Sequence, residues 1–308
     1  MQRMFDEVLS MGNLYQAWQR VKESHGGAGV DEVTLKAFEA NLDANLLKLQ
    51  SDMANHTYRP LPLLRLLVEK PNGEARPLSI PAVRDRVAQA AVLNTIEPIF
   101  NKEFETCSFA YRKGHSYREA ILQVKKYRDE GYRFIVDADI DAFFDNIDHD
   151  LLLTKVKSLI QDKDILWLIG MWVKAEVWDG KRVYRMTKGI PQGSVISPIL
   201  ANLFLDEFDE ALLKKGYKLV RYADDFVILC KTEPEAERAL ELTDKVLADL
   251  KLILDEKQII DFHHGFKYLG AIFLNDSIFV PFDRPKRKRK VLYCPPPLFK
   301  KSKLKEKI

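Results

Sequence analysis

Two aspartates stand side by side in the stretch RYADDFVIL, residues 221–229, between short runs of strand-forming residues. Like charges that close repel, and each resists ionising beside the other. Asp224 and Asp225 therefore suit either a bland surface turn, where water screens them, or a seat for a cation. A third acid, Asp139, closes the β-branched run RFIVDADI of residues 133–140. The chain around these acids reads strand, helix, hairpin, helix, strand. That is the order of a ferredoxin-like antiparallel sheet with helices on one face. In that topology the end of the first strand lies beside the hairpin, so Asp139 and Asp224, remote in sequence, can meet. Cation binding by converging carboxylates is the chemistry this arrangement permits.

The elements that must position these acids are legible from periodicity and punctuation. Thr34 is expected to cap one helix with Leu35, Phe38, Leu42, Leu46 and Leu49 on a single face. The stretch RPLPLLRLLVEKPNGEARPLSIP predicts two strands joined by a turn at Pro71-Asn72-Gly73. Helices are predicted over the RDRVAQAAVLNTIEPIF segment and over 117–130, the latter ended by Gly131. Asp148 should cap a helix beginning HDLLL, and a Trp-rich hairpin is expected around 170–190. Ser197-Pro198 suits a helix start, and Leu200, Leu203, Phe204 and Phe208 should face inward from that helix. A further helix is expected near 234–251, then two short strands containing FKYLGAIF.

The chain has 308 residues, 46% hydrophobic and 30% charged, as in a water-soluble globular protein with a sizeable core. Its net charge of +3 conceals an asymmetry. Residues 284–308 carry 11 Lys or Arg against one Glu, leaving 37 basic against 44 acidic residues in the remainder. The body is thus no general sponge for nucleic acid, and phosphate binding must come from a local arrangement or from the basic end. The three cysteines, Cys107, Cys230 and Cys294, form no CxxC pair, which suggests a reducing, cytoplasmic setting. No leader peptide or membrane span is expected. The six histidines lack the spacing of a zinc site.

Several ordered segments resemble one family. KPNGEARPLSIPAVRDR is similar to the first fingers motif of the reverse transcriptases, VDADIDAFFDNIDHDLL to motif A and GIPQGSVISPILANLFLDEFD to motif B. RYADDFVIL is similar to motif C, LKLILDEKQIIDF to motif D and FKYLGAIF to the primer grip. The likeness is to the group II intron-like lineage of bacteria and covers roughly residues 24–282. It implies an α+β right-hand polymerase of fingers and palm, the palm being the ferredoxin-like sheet, with the thumb absent or truncated. Residues 1–115 would be an N-terminal extension and fingers, 116–283 the palm with a fingers insertion near 151–190, and 284–308 a basic tail or linker.

The same resemblance implies RNA-directed DNA synthesis by two-metal phosphoryl transfer, in which a primer 3′-hydroxyl attacks the α-phosphate of a deoxynucleotide. Asp139 and Asp224 would hold two Mg²⁺ ions, with Mn²⁺ as a substitute, Ile140 would lend a backbone carbonyl, and Asp225 would be the more peripheral acid. Phe144 would block the 2′-hydroxyl of a ribonucleotide. With Phe143 it should alternate across a locally extended chain, one ring inward and one toward the site. Gln192 and Gly193 would lie against nucleotide and template, the glycine because no Cβ obstructs a close backbone approach. Lys70 and Arg76 would fold over the triphosphate, and Lys257 would protonate the departing pyrophosphate. Arg112 would contact template, although SFAYRKGHS departs from the usual Gly-Phe-Arg-Pro of intron-encoded relatives.

Partners implied are an RNA template, a DNA or RNA primer and deoxynucleotides. The long motif A and motif C segments, followed by GFKYLG and a basic linker, further resemble enzymes of CRISPR adaptation, which work with the spacer integrase in antiviral defence. Two alternatives stand beside this reading. One is an RNA-binding maturase or scaffold with a vestigial polymerase fold, against which the presence of Asp139, Asp224, Asp225, Gln192 and Lys257 argues. The other is a template-independent or protein-primed polymerase of phage defence.

Overall fold

A computed structural model of the chain describes residues 3–69, 73–275, 277–280, 291–296 and 298. The chain divides into two units: Met1–Glu97 with Ile160–Ser197 and Lys288–Ile308, and Pro98–Leu159 with Pro198–Arg287.

In the first unit the helix Met11–Glu23 starts on Ser10, whose hydroxyl accepts from the Asn13 amide. Leu14, Trp18 and Val21, spaced one helical face apart, are buried. Thr34 does cap a helix, accepting from Ala37. The expected single helix is nevertheless two, Leu35–Glu39 and Leu42–Ala54. The break at residues 40–41 lets Phe38 stack on Trp18, ring centroids 5.3 Å apart, while Leu46, Leu49 and Met53 remain buried. Leu63–Glu69 and Ala75–Ile80 form the expected antiparallel pair, from Leu64 opposite Ile80 to Glu69 opposite Ala75. On its other edge Leu63–Glu69 meets Glu176–Trp178 in parallel at one end and Val291–Tyr293 antiparallel at the other. Glu176–Trp178 and Val183–Arg185 make the predicted hairpin, although Trp167 and Trp172 lie in the preceding helix Lys163–Val173.

The second unit is built on four antiparallel strands in the order Lys218–Tyr222, Asp225–Cys230, Phe134–Ile140, Leu254–Asp261. This is the ferredoxin-like order that strand, helix, hairpin, helix, strand predicts. The helix Ser197–Lys214 lies on one face through Phe208, whose ring meets Phe226 at 5.0 Å, with Leu200, Leu203 and Phe204 buried as expected. The helix Glu233–Asp249, capped by Thr232, also packs on the sheet. The opposite face is covered as well. Ile135, Val227 and Leu229 pack there against Ala120, Ile121 and Val124 of the helix Tyr117–Asp129. Phe262, Phe266 and Phe273 join the same cluster, the last two from the small sheet Phe266–Tyr268, Ala271–Leu274, Ser277–Phe279. Alternation along each strand thus buries both faces.

Arg221 lies fully buried inside this unit. Its Nε donates to Asp209 Oδ1 at 2.7 Å, its Nη2 to Asp209 Oδ2, and its Nη1 to Asn202 Oδ1 at 3.1 Å and to the Ala223 carbonyl at 3.0 Å. Removing one partner of such a pair strands the other charge without water. Arg221→Met should therefore lower unfolding stability by about 3–5 kcal/mol, and adding Asp209→Leu should restore much of it. Urea denaturation measures both, and a loss in Arg221→Met below about 1 kcal/mol would contradict the assignment.

Candidate active site

The strand Phe134–Ile140 pairs with Asp225–Cys230 as far as Ala138 opposite Phe226, one residue short of Asp139 and of Asp225. The acids therefore lie at the same end of adjacent strands. The hairpin that carries the other two acids turns tightly, because Tyr222 pairs directly with Asp225 and leaves Ala223-Asp224 as the loop. Such a loop needs a left-handed residue, and Ala223 supplies it with φ 62°. Alanine is an unusual choice there, since its Cβ makes the conformation costly. The Arg221 guanidinium offsets that cost by holding the Ala223 carbonyl from within. Further support comes from Tyr268, whose hydroxyl donates to the carbonyls of Val220 and Asp225.

Asp137, Asp139 and Asp225 share one face of the sheet by strand alternation. The electrostatics agree with the convergence. Although the Asp225 side chain reaches solvent, its carboxyl is pushed up to about 6, first by the loss of water among the crowded strands and then by Asp224, Asp139 and Asp137. Asp139 is raised by burial and by Asp224, while the Ile140 amide, donating at 3.0 Å, pulls the other way. Burial likewise raises Asp137, against a hydrogen bond from Gln258 at 3.0 Å. Asp139 and Asp225 offer carboxylate oxygens, the donor type that a hard divalent cation prefers.

The other sequence-derived residues fall in different places. Phe144 and Phe143 are not in extended chain. They open a one-turn helix, Phe143–Asn146, entered through Ala142 at φ 41°. Both rings are buried, packed edge to face at 5.5 Å, with Phe144 retaining 7% exposure against 2% for Phe143. Lys257 is not brought to the carboxylates. Its Nζ binds Asp244 of the helix Glu233–Asp249 at 2.7 Å, while its neighbour Gln258 reaches Asp137. One step of strand alternation separates the two outcomes.

Arg112 also departs from expectation. Its Nη1 donates to the carbonyls of Glu105 and Ser108 and its Nη2 to those of Asn101 and Phe104. These bonds engage its terminal donors with the chain that follows the helix Val83–Glu103, so it braces that bend. Asp148 caps the next helix as predicted, accepting from Asp150 and Leu151.

In the first unit, Gln192 and Gly193 lie along the strand Ala75–Ile80. The Gln192 carbonyl accepts from Ser79 at 2.7 Å, and its Oε1 accepts from Arg76 Nε at 2.6 Å. Gly193 has φ 112°, and a Cβ there would stand 2.6 Å from the Ser79 carbonyl. The close approach this glycine permits is therefore to the backbone of the strand Ala75–Ile80. Ser194 and Val195 both donate to Gln89 Oε1, which ties the loop to the helix Val83–Glu103. Lys70 lies outside the described residues.

Sequence reasoning missed Arg221, Asp209, Asn202, Asp137, Gln258 and Tyr268. An available signal was an arginine inside an otherwise apolar strand, which calls for a buried acid on the preceding helix.

A family model described as "Reverse transcriptase (RNA-dependent DNA polymerase)" matches residues 68–273. Protein YkfC of Escherichia coli is 33% identical over 295 residues, covering 82% of this chain and 77% of the relative. The group II intron-encoded protein LtrA of Lactococcus lactis is 31% identical over 222 residues, covering 71% of this chain and 36% of LtrA. A chain in the solved "Partial Cas6-RT-Cas1--Cas2 complex" is 27% identical with a TM-score of 0.50, covering 81% of this chain and 42% of that one. This chain thus spans well under half of the last two. Among the described residues no helix is long and apolar enough to cross a membrane.

The raised Asp225 carboxyl has a consequence for stability. Between its ordinary value of 3.8 and about 6, the folded chain binds more protons at this group than the unfolded chain. Without divalent ions, its contribution therefore lowers stability as pH rises through that window. Asp225→Asn should melt at a higher temperature than the parent above about pH 7 and at the same temperature near about pH 4. Calorimetry in a chelating buffer checks this. Equal melting temperatures at both values would contradict it.

Proposed function

Because this chain belongs to the reverse transcriptase family, in its group II intron-like branch, we propose that it copies RNA into DNA at Asp139, Asp224 and Asp225. The observation that carries this reading is the convergence of Asp139 and Asp225 at one end of paired strands, with Asp225 pushed up to about 6 first by burial and then by Asp224 and Asp139. Reverse transcriptases use divalent metals, and the oxygens here suit such ions. Asp139, Asp224 and the Ile140 carbonyl would hold two Mg²⁺ ions, with Asp225 at the periphery. When bound, such ions lower the pKa of an attacking primer hydroxyl and neutralise charge on the departing pyrophosphate.

The protein's own groups do the remaining work. Arg221 and Tyr268 keep the hairpin rigid, so that Asp224 is presented without rearrangement. Phe144 walls the sugar side of the site and discriminates against a 2′-hydroxyl. In the first unit Arg76, oriented by Gln192, supplies a guanidinium for triphosphate oxygens. Lys257, whose Nζ pairs with Asp244 at an exposed position, would have to leave that pair to protonate the departing pyrophosphate. The likeness to a chain of a Cas6-RT-Cas1--Cas2 complex supports a role beside a CRISPR adaptation integrase, making DNA from RNA for spacer acquisition.

Primer extension on a mixed-sequence RNA template with Mg²⁺ and deoxynucleotides tests the reading. The expected product is the full complement, absent in Asp224→Asn although circular dichroism shows an intact fold. A product unrelated to the template would point to template-independent synthesis, and RNA binding without extension to a maturase. Phe144→Ala should begin to incorporate ribonucleotides. Unchanged exclusion would remove the gate assignment.

A further inference from the structure

A second group of acids lies in the unit Pro98–Leu159 with Pro198–Arg287, apart from the motif carboxylates. Glu103, Asp206 and Glu210 each offer a carboxylate oxygen, and these oxygens lie within 4.8 Å of one another. Asp206 and Glu210 are one turn apart on the helix Ser197–Lys214, and Glu103 ends the helix Val83–Glu103. They line a shared cavity with Lys155, Ser158 and Glu207.

Asp206 is the unusual member. It is 5% exposed, and its Oδ1 is buried with no hydrogen-bond partner. A buried carboxylate oxygen without a donor is costly, and two acidic neighbours raise that cost. Of the cations close by, Lys155 binds Glu207 outside the trio and Lys214 binds Glu210 within it, and neither is paired with Asp206. Arg221 faces the region but is committed to Asp209. Without a further cation the Asp206 carboxyl is pushed up to about 7, by burial and then by Asp209, Glu210 and Glu103 against the pull of Arg221. Asp206 thus lacks the paired cation that Asp209, the other buried acid on this helix, has in Arg221.

We propose that Glu103, Asp206 and Glu210 bind a hard divalent cation of calcium size, at a site separate from Asp139, Asp224 and Asp225. Oxygen ligands stand about 2.3–2.6 Å from Ca²⁺, so two ligands on one ion are at most about 5 Å apart. The observed spread fits that limit without movement. The ion would pin Glu103 to the helix that carries Asp209, three residues beyond Asp206. Its occupancy therefore bears on how firmly Arg221 is held. The function is structural, a brace behind the hairpin.

The test uses the full chain carrying Asp139→Asn, Asp224→Asn and Asp225→Asn, which removes the competing carboxylates. Titration calorimetry with calcium chloride should show one bound ion, and the melting temperature should rise with calcium. Glu103→Gln, a change at an exposed residue, should weaken binding by about ten-fold. Asp206→Asn should abolish the calcium-dependent rise while melting higher than its parent in chelator, because it removes an unpaired buried charge. No calcium uptake at millimolar concentration, or uptake unchanged by Glu103→Gln, would overturn the proposal.

Discussion

A guanidinium sealed away from water must have its partners around it, and in this chain that requirement organises the unit that carries Asp139, Asp224 and Asp225. Arg221 grips Asp209 with two bonds, Asn202 with a third and the Ala223 carbonyl with a fourth. Its backbone does further work, since its amide donates to Cys107 and its carbonyl accepts from Phe109. Asn202 in turn donates to the Ala110 carbonyl. One side chain thus fixes a helix, a loop and the hairpin together. A buried pair of this kind adds little net stability over apolar packing, but breaking it is expensive. Its value here is geometric, because it holds a strained alanine turn in the one conformation that aims Asp224 and Asp225 forward.

The acids so presented repel one another, which makes the site poorer in stability and richer in affinity for cations. The same logic appears twice in this unit with different surroundings. Asp139, Asp224 and Asp225 lie at the solvent-facing end of the sheet, where substrate can approach. Asp206 lies in the interior, with no hydrogen-bond partner for its Oδ1. A cation at the first place would be open to solvent, whereas one at the second would be held between two helices.

Much of this was legible in the sequence because it depends on local rules. The strand order followed from the succession of elements, and Thr34 and Asp148 cap helices as their chemistry dictates. What a short window did not show is where several of these side chains are placed. Lys257 matches its motif, but alternation turns it toward Asp244 and gives the acid-bearing face to Gln258. Phe143 and Phe144 look extended until the left-handed Ala142 starts a helical turn. Arg112 resembles a template contact, yet four carbonyls of a bending chain claim it. The helix after Thr34 breaks because Phe38 has a ring to reach, which periodicity alone does not register.

The central claim is that residues remote in sequence make one seat for a divalent ion. Iron-directed cleavage tests it most directly. Fe²⁺ bound in place of the native ion, with ascorbate and peroxide, generates radicals that cut the backbone close to the metal. The account predicts that cuts near residue 139 and cuts near residues 224–225 appear together and are suppressed together by excess Mg²⁺. Cleavage at only one of the two segments, or at neither, would contradict it.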